Sequence, residues 1–274
     1  MRPTFYEIKK ASRNALRTRW PEAVLVVLAF CIISLVNSIS QALLMHLFRL
    51  GALWSPFSDN SLPALNLIAS ISITLLSALF SFIVSLPFVL GVLKWFWAVT
   101  NGSNARLSDV FFYFQSGSLY RKAVTFSIFI FLRIALMSIV CFLPYILAKI
   151  LTNPAFYLLL GKETPIFVSG LFNMVDILKG LGIVSVAVLN MKHLLFPFLL
   201  FTNPELSSAK TIKKAREIYH FEPLKLISFV FSFFGWFLLC IFVIPIVFVA
   251  PYFISSLAIY AREENREHER RQGI

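Results

Sequence analysis

Five stretches of this 274-residue chain run for about 24 residues or more with hardly a charged side chain, and no water-soluble fold can bury them all. A helix rises about 1.5 Å per residue, so about 20 apolar residues cross the ~30 Å hydrocarbon core of a bilayer. The first stretch runs from Ala23 to about Phe48. The second, Ala64 to about Ala98, is interrupted at Pro87; this predicts a span to about Leu86, a kink, and a continuation anchored at the interface by Lys94, Trp95 and Trp97. A third runs from Ala123 to about Leu147, with Pro144 near its outer end. A fourth lies within 168–201, from about Leu178 onward, with Gly180 and Gly182 near its start and Pro197 near its end. The last, Leu224 to Tyr260, would be about 55 Å long as one helix. Two shorter helices joined by a turn within 243–248, around Pro245, are the more economical reading.

Composition agrees. The chain is 58% hydrophobic and 14% charged, against about 25% charged in soluble domains, and its mean hydropathy is +0.80. A soluble enzyme, a disordered tail protein and a secreted disulfide scaffold are thereby excluded. The expected fold class is all-α: a polytopic integral membrane protein of about six transmembrane helices with interfacial amphipathic helices. The expected organisation is a basic amphipathic segment over 1–22, one transmembrane domain over 23–261 and a charged tail over 262–274.

The net charge of +12 would suit nucleic acid only if the basic residues shared one hydrated face. Instead they cluster between the apolar blocks. Six precede the first block; Lys94, Arg106, Arg121 and Lys122 follow the second; Lys210, Lys213, Lys214 and Arg216 follow the fourth; Arg262, Arg266, Arg270 and Arg271 close the chain. Six spans with both termini in the cytoplasm put all of these inside and leave Arg49, Lys149 and Lys162 outside, whereas five spans would push the tail's four across. The expected partner is therefore the anionic headgroup layer of the inner leaflet, with no nucleic acid, and with an unidentified membrane protein as a further possible partner. The N-terminal segment, with Lys9, Lys10, Arg13 and Arg17, and the segment with Lys210, Lys213 and Lys214 are expected to anchor there as amphipathic helices. A third interfacial helix is expected near Phe111–Phe114, beyond a cap at Ser108 or Asp109.

Three blocks carry recognisable pattern. Pro87 and Gly91 precede Leu107, Ser108, Asp109 and Phe111; Asn203, Pro204 and Glu205 precede Lys213 and Lys214; Gly235 and Trp236 open the final hairpin. Together they resemble the bacterial integral membrane family catalogued as domain of unknown function 975. The likeness runs from the second span on, with 153–179 reading as an insertion. The family is broadly similar to the membrane domain fused ahead of some bacterial glycerophosphodiester phosphodiesterases, although this chain has no room for their catalytic barrel. The resemblance implies the bacterial cytoplasmic membrane and brings no activity with it.

Motifs for metal, phosphate or nucleophile chemistry are missing from the sequence, and no cofactor or catalytic residue is expected. Cys31, Cys141 and Cys240 lie far apart in apolar blocks, without metal or disulfide spacing. The serines at 70, 72, 77, 81 and 85 form a stripe that suits helix packing better than permeation. Intramembrane charge is the better lead, because an ionisable group in hydrocarbon costs at least ~2.5 kcal/mol and is usually paired or functional. Arg133 lies near the middle of the third block, Asp176 and Lys179 are three residues apart, and Lys192 and His193 lie in the fourth. One reading has Arg133, Asp176 and Lys192 pair across helices and meet an anionic substrate or headgroup. The other has the cations snorkel to an interface while Asp176 and Lys179 belong to a hydrated outer loop. Two functions follow: a non-enzymatic protein that binds lipid or organises the envelope, and a small transporter or export component with a polar cavity near Arg133 and Lys192.

Overall fold

The structure, a computed structural model, describes residues 3–47, 63–153, 166–219, 223–242 and 244–272. The turn-rich stretch expected over 51–63 and the outer loop expected over 152–170 fall largely outside the described residues, as do Arg49, Lys162 and Val243, but Pro63 opens a helix and 166–170 are helical, which corrects the loop's end. Among the described residues, every regular element is a helix and there is no strand. Five helices are long and apolar enough to cross a membrane, and a sixth crossing counts if one bent pair is a single span. It is an all-α, polytopic membrane protein.

In chain order the α-helices are α1 (Phe5–Leu16), α2 (Trp20–Leu47), α3 (Pro63–Phe80), α4 (Leu86–Thr100), α5 (Gly117–Leu151), α6 (Ile166–Asn190), α7 (Phe196–Thr202), α8 (Ser208–Ile218), α9 (Pro223–Phe231), α10 (Phe234–Leu239) and α11 (Ile246–Gln272). Helix α1 opens on a capping box, in which Thr4 and Glu7 satisfy each other's backbone N–H groups. Its apolar side, expected to lie on lipid, is instead covered by protein. Ile8 and Leu16 are buried, and the Ser12 hydroxyl donates to the Tyr252 carbonyl at 3.3 Å. The reason is that α11 presents a complementary row, buried from Ser255 to Ala261, which α1 closes.

The kink expected at Pro87 is a π-helical turn over Ser81–Ser85 that joins α3 to α4. Proline has no N–H for the carbonyl four residues back, which is that of Ile83. The Tyr120 hydroxyl on α5 donates to that carbonyl at 3.0 Å, so a neighbouring helix satisfies the freed group. Gly91 then permits a close backbone approach: a Cβ there would collide with the Val110 carbonyl, in the expected interfacial segment Leu107–Phe114. That segment is a 3₁₀-helix that begins at Leu107, ahead of the expected cap at Ser108 or Asp109; Arg106 is its N-cap, and the Asp109 carboxylate, inside the first turn, accepts from the Arg106 N–H at 2.8 Å.

The fourth span starts earlier than Leu178. Helix α6 begins at Ile166, so Asp176 and Lys179 are helical and do not belong to a loop. Gly182 lets α6 lie against α5, since a Cβ there would sit 3.0 Å from the Phe142 ring. The helix breaks after Asn190 into a 3₁₀ turn over Met191–Leu194, and α7 follows with Pro197 in its first turn, fully buried from Phe196 to Leu200. The final block is a hairpin. Helices α9 and α10 meet at a 45° bend, and α11 returns along them and continues to Gln272, so residues 262–272 extend this helix and form no separate tail.

One end of the bundle holds the polar segments together. Arg19 donates to the Ala105 carbonyl at 2.6 Å, Arg262 to Asn101 Oδ1 at 2.8 Å, and Tyr219 to Asn265 Oδ1 at 2.9 Å; Lys122 reaches the Pro204 carbonyl. The N-terminal helix, the segment after α4, the segment around α8 and the end of α11 therefore lie on the same side. Beyond that end α2 pairs with α3 and α5 with α6, and their large side chains, such as Leu75, Val140 and Ile177, are exposed, as lipid-facing surface must be.

Candidate functional site

Three cations from three elements converge where the spans meet this packed end. Arg133 is on α5, Lys192 in the 3₁₀ turn after α6, and Arg216 on α8. Helix α8 is set by its Ser207 N-cap, by the Ser208 hydroxyl donating to the Lys122 carbonyl at 3.1 Å, and by burial of Ile212, Ala215 and Ile218. This seats it along α5, with the exposed Arg216 within electrostatic reach of Arg133. The charges of Arg133 and Arg216 both act on Lys192 and on His193, and that of Arg216 acts on Arg133. Among the described residues no carboxylate forms an ion pair with any of the three.

Beside Lys192 lies a cavity of about 330 Å³. Its walls are chiefly apolar, from Leu189, Leu195, Ile218, Leu226 and Ile227, with Tyr219, Tyr260 and Glu264 on the far side. The Tyr219 hydroxyl is fully buried; burial first, and then the charge of Glu264, push its pKa well above the ordinary tyrosine value. His193 is buried too. Its Nδ1 lies 3.2 Å from the Asn190 carbonyl and its ring packs on Phe196, so it backs the cluster.

Asp176 and Lys179 do not join this site. Both are exposed on α6, and Asp176 stands 16 residues from Lys192, or about 24 Å along a helix. The Arg133–Asp176–Lys192 triad, one of the two readings of the sequence, thus does not form, and Arg216 stands near Arg133 and Lys192 instead. In the sequence Arg216 is one of the basic run after the fourth span; its distinguishing signal is its place on the rim of the apolar face marked by Ile212 and Ala215. Of the expected anchoring side chains, Lys10, Arg13, Arg17, Lys210 and Lys213 are exposed, and Lys214 is exposed while donating to Asn203 Oδ1 at 3.2 Å. Lys9 is different. Its ammonium donates to the Ser232 carbonyl at 2.6 Å and lies 4.2 Å from the Phe233 ring centroid, and desolvation lowers its pKa.

The serine stripe does pack helices: Ser72 bonds back to the Ile68 carbonyl, and Ser77 donates across to Gln41 Oε1 at 3.2 Å. Among the described residues no group of three or more His, Cys, Asp or Glu side chains could hold a metal ion.

The family described as "Protein of unknown function (DUF975)" matches residues 1–265. The chain belongs to it. The match takes in α1 and the first span as well as the blocks from Pro87 onward that carry the resemblance. No curated protein and no solved structure matches the chain.

Proposed function

We propose that this member of the family is a non-enzymatic protein of the bacterial cytoplasmic membrane that binds an anionic phospholipid through Arg133, Lys192 and Arg216. The observation that carries this reading is the convergence of three cations that have no carboxylate partner among the described residues, next to an apolar cavity. Like charges brought together at a membrane boundary are stabilised by a counter-anion, and a basic pocket between helix ends on the cytoplasmic side suits a phosphate headgroup with its acyl chains alongside. The shared end of the bundle, which carries most of the basic residues, faces the cytoplasm in this reading, with both termini there. Exposed Lys10, Arg13, Arg17, Lys210 and Lys213 would add contacts to the same leaflet.

Each cation near an anionic surface contributes about 1 kcal/mol, so replacing all three by glutamine should weaken retention of anionic lipid by about 100-fold. Native mass spectrometry of the purified protein, titrated with phosphatidylglycerol or cardiolipin against phosphatidylcholine, reads this directly. Equal retention by the parent and the triple variant would sink the proposal.

The transporter reading is second, and the same convergence of Arg133 and Lys192 beside a cavity favours it. It requires the cavity to continue toward the opposite face, whereas its walls all come from the packed end. Flux of an anion through proteoliposomes, abolished by Arg133→Leu, would place it first.

A further inference from the structure

By length and composition the final hairpin could supply two crossings, but its register against the second span does not take it across. Arg262 on α11 donates to the Thr100 carbonyl at 3.2 Å and to Asn101 Oδ1, which fixes this point of α11 at the inner end of α4. Helix α11 packs along α4, with Ala250 and Ile254 set against the cluster that holds Trp95 and Phe96. From Arg262 to its first residue, Ile246, are 16 residues, or about 24 Å of helix. From Thr100 back to Ile71, where the second span ends, are 29 residues, about 44 Å. The tip of the hairpin therefore falls about 20 Å short of the far end of the second span.

The sequence of the tip agrees with a position in hydrocarbon. From Gly235 to Pro251 there is no hydroxyl, amide or charged side chain; the nearest are Ser232 and Tyr252. The connections at the far ends of the other helices carry charge: Arg49 and Asp59 in one, Lys162 and Glu163 in the other. At the tip Ile241, Phe242 and Ile244 are each more than 70% exposed, an arrangement water would penalise and acyl chains would not. Backbone groups at a turn in lipid must be satisfied locally. Here Pro245 has no N–H to satisfy, the Ile244 N–H donates to the Phe242 carbonyl at 2.7 Å, and the Pro245 carbonyl accepts from Phe248 and Val249. At the bend between α9 and α10, the Ser232 carbonyl takes the Lys9 ammonium.

We propose that residues 224–261 form a re-entrant hairpin, which enters and leaves the bilayer on the face that carries the termini and rests its tip, Ile241, Phe242 and Ile244, on acyl chains near the bilayer midplane. The crossing elements are then α2, α3 with α4, α5, and α6. Their even number keeps both termini on one side without a fifth or sixth crossing. The inference is independent of the headgroup site.

Single cysteines test it, in the full-length chain with Cys31, Cys141 and Cys240 replaced by serine. Asn153→Cys, at the far end of α5, and Ala209→Cys, on the exposed side of α8, mark the two faces; Ile244→Cys marks the tip. A membrane-impermeant maleimide applied to intact cells and to inverted vesicles should label each marker from one side only, and Ile244→Cys from neither side until detergent is added. Labelling of Ile244→Cys from the side that labels Asn153→Cys, or from the opposite side, would overturn the proposal. The same variant, spin-labelled and placed in nanodiscs, gives a second reading that does not depend on cell expression. A label broadened by oxygen and shielded from a water-soluble nickel chelate is expected, and one broadened by the nickel chelate refutes the hairpin depth.

Discussion

Replacing glycine by alanine at three positions adds the same methyl group to three different environments, and the structure orders the outcomes. At Gly91 the new Cβ would meet the Val110 carbonyl, a backbone atom that no rotamer change can withdraw. Helix α4 and the Leu107–Phe114 segment would have to separate, and with them the packing of Phe88 on Phe111 and the burial of Val92 and Val110. Overpacking costs about 1–3 kcal/mol where side chains can adjust, so about 3 kcal/mol is the expected loss here. At about 2–4 °C per kcal/mol, Tm should fall by about 6–12 °C. At Gly180 nothing lies within 4 Å, and alanine should gain up to about 1 kcal/mol from helix propensity. At Gly182 the obstacle is the edge of the Phe142 ring, which can yield by a few tenths of an ångström, so the effect should fall between the other two. Thermal unfolding of the three purified variants in one detergent reads all of this. A Gly91→Ala midpoint within about 2 °C of the parent would show that the segment does not seat against α4 as described.

Tyr120→Phe removes the hydroxyl that satisfies the Ile83 carbonyl beside Pro87, and should cost about 1–2 kcal/mol, visible as a lower thermal midpoint with helix content by circular dichroism unchanged. Tyr219 carries a pH prediction: its pKa is raised on folding, so the native state holds a proton that the unfolded chain releases above pH about 10, and stability should fall as pH rises past that value. Tyr219→Phe should make that alkaline loss shallower in a series of melts from about pH 9 to 11, with buried Tyr113, shifted in the same direction, accounting for part of what remains.

Much of the architecture is legible in the chain because hydropathy and helix signals are sums over neighbouring residues. The first three spans, the interruption at Pro87 and the turn at Pro245 all fall where local chemistry places them. The start of α6 is not legible in the chain because Gly180 and Gly182 read locally as a boundary, while in the fold Gly182 is a contact with Phe142 on α5. The partner of helix α1 is hidden for a related reason: an amphipathic face suits lipid and protein equally well, and the α11 surface that covers it is about 250 residues away.

The candidate site shows the same division. Arg133 and Lys192 stand out in sequence because charge in an apolar block is costly wherever it occurs. Asp176 shared that signal, yet lies on α6 about 24 Å from Lys192. By itself, then, the sequence determined that the chain lives in a membrane, which stretches are apolar enough to cross it, and which segments carry the positive charge, since each follows from the transfer energy of residues near one another in the chain. Only the tertiary structure decided that Arg216 completes the cationic cluster and how far the last hairpin reaches. Both are distances between elements, set by the seating of α8 on α5 and of α11 on α4 and by the interlocking bonds of Lys122, Ser208 and Arg262.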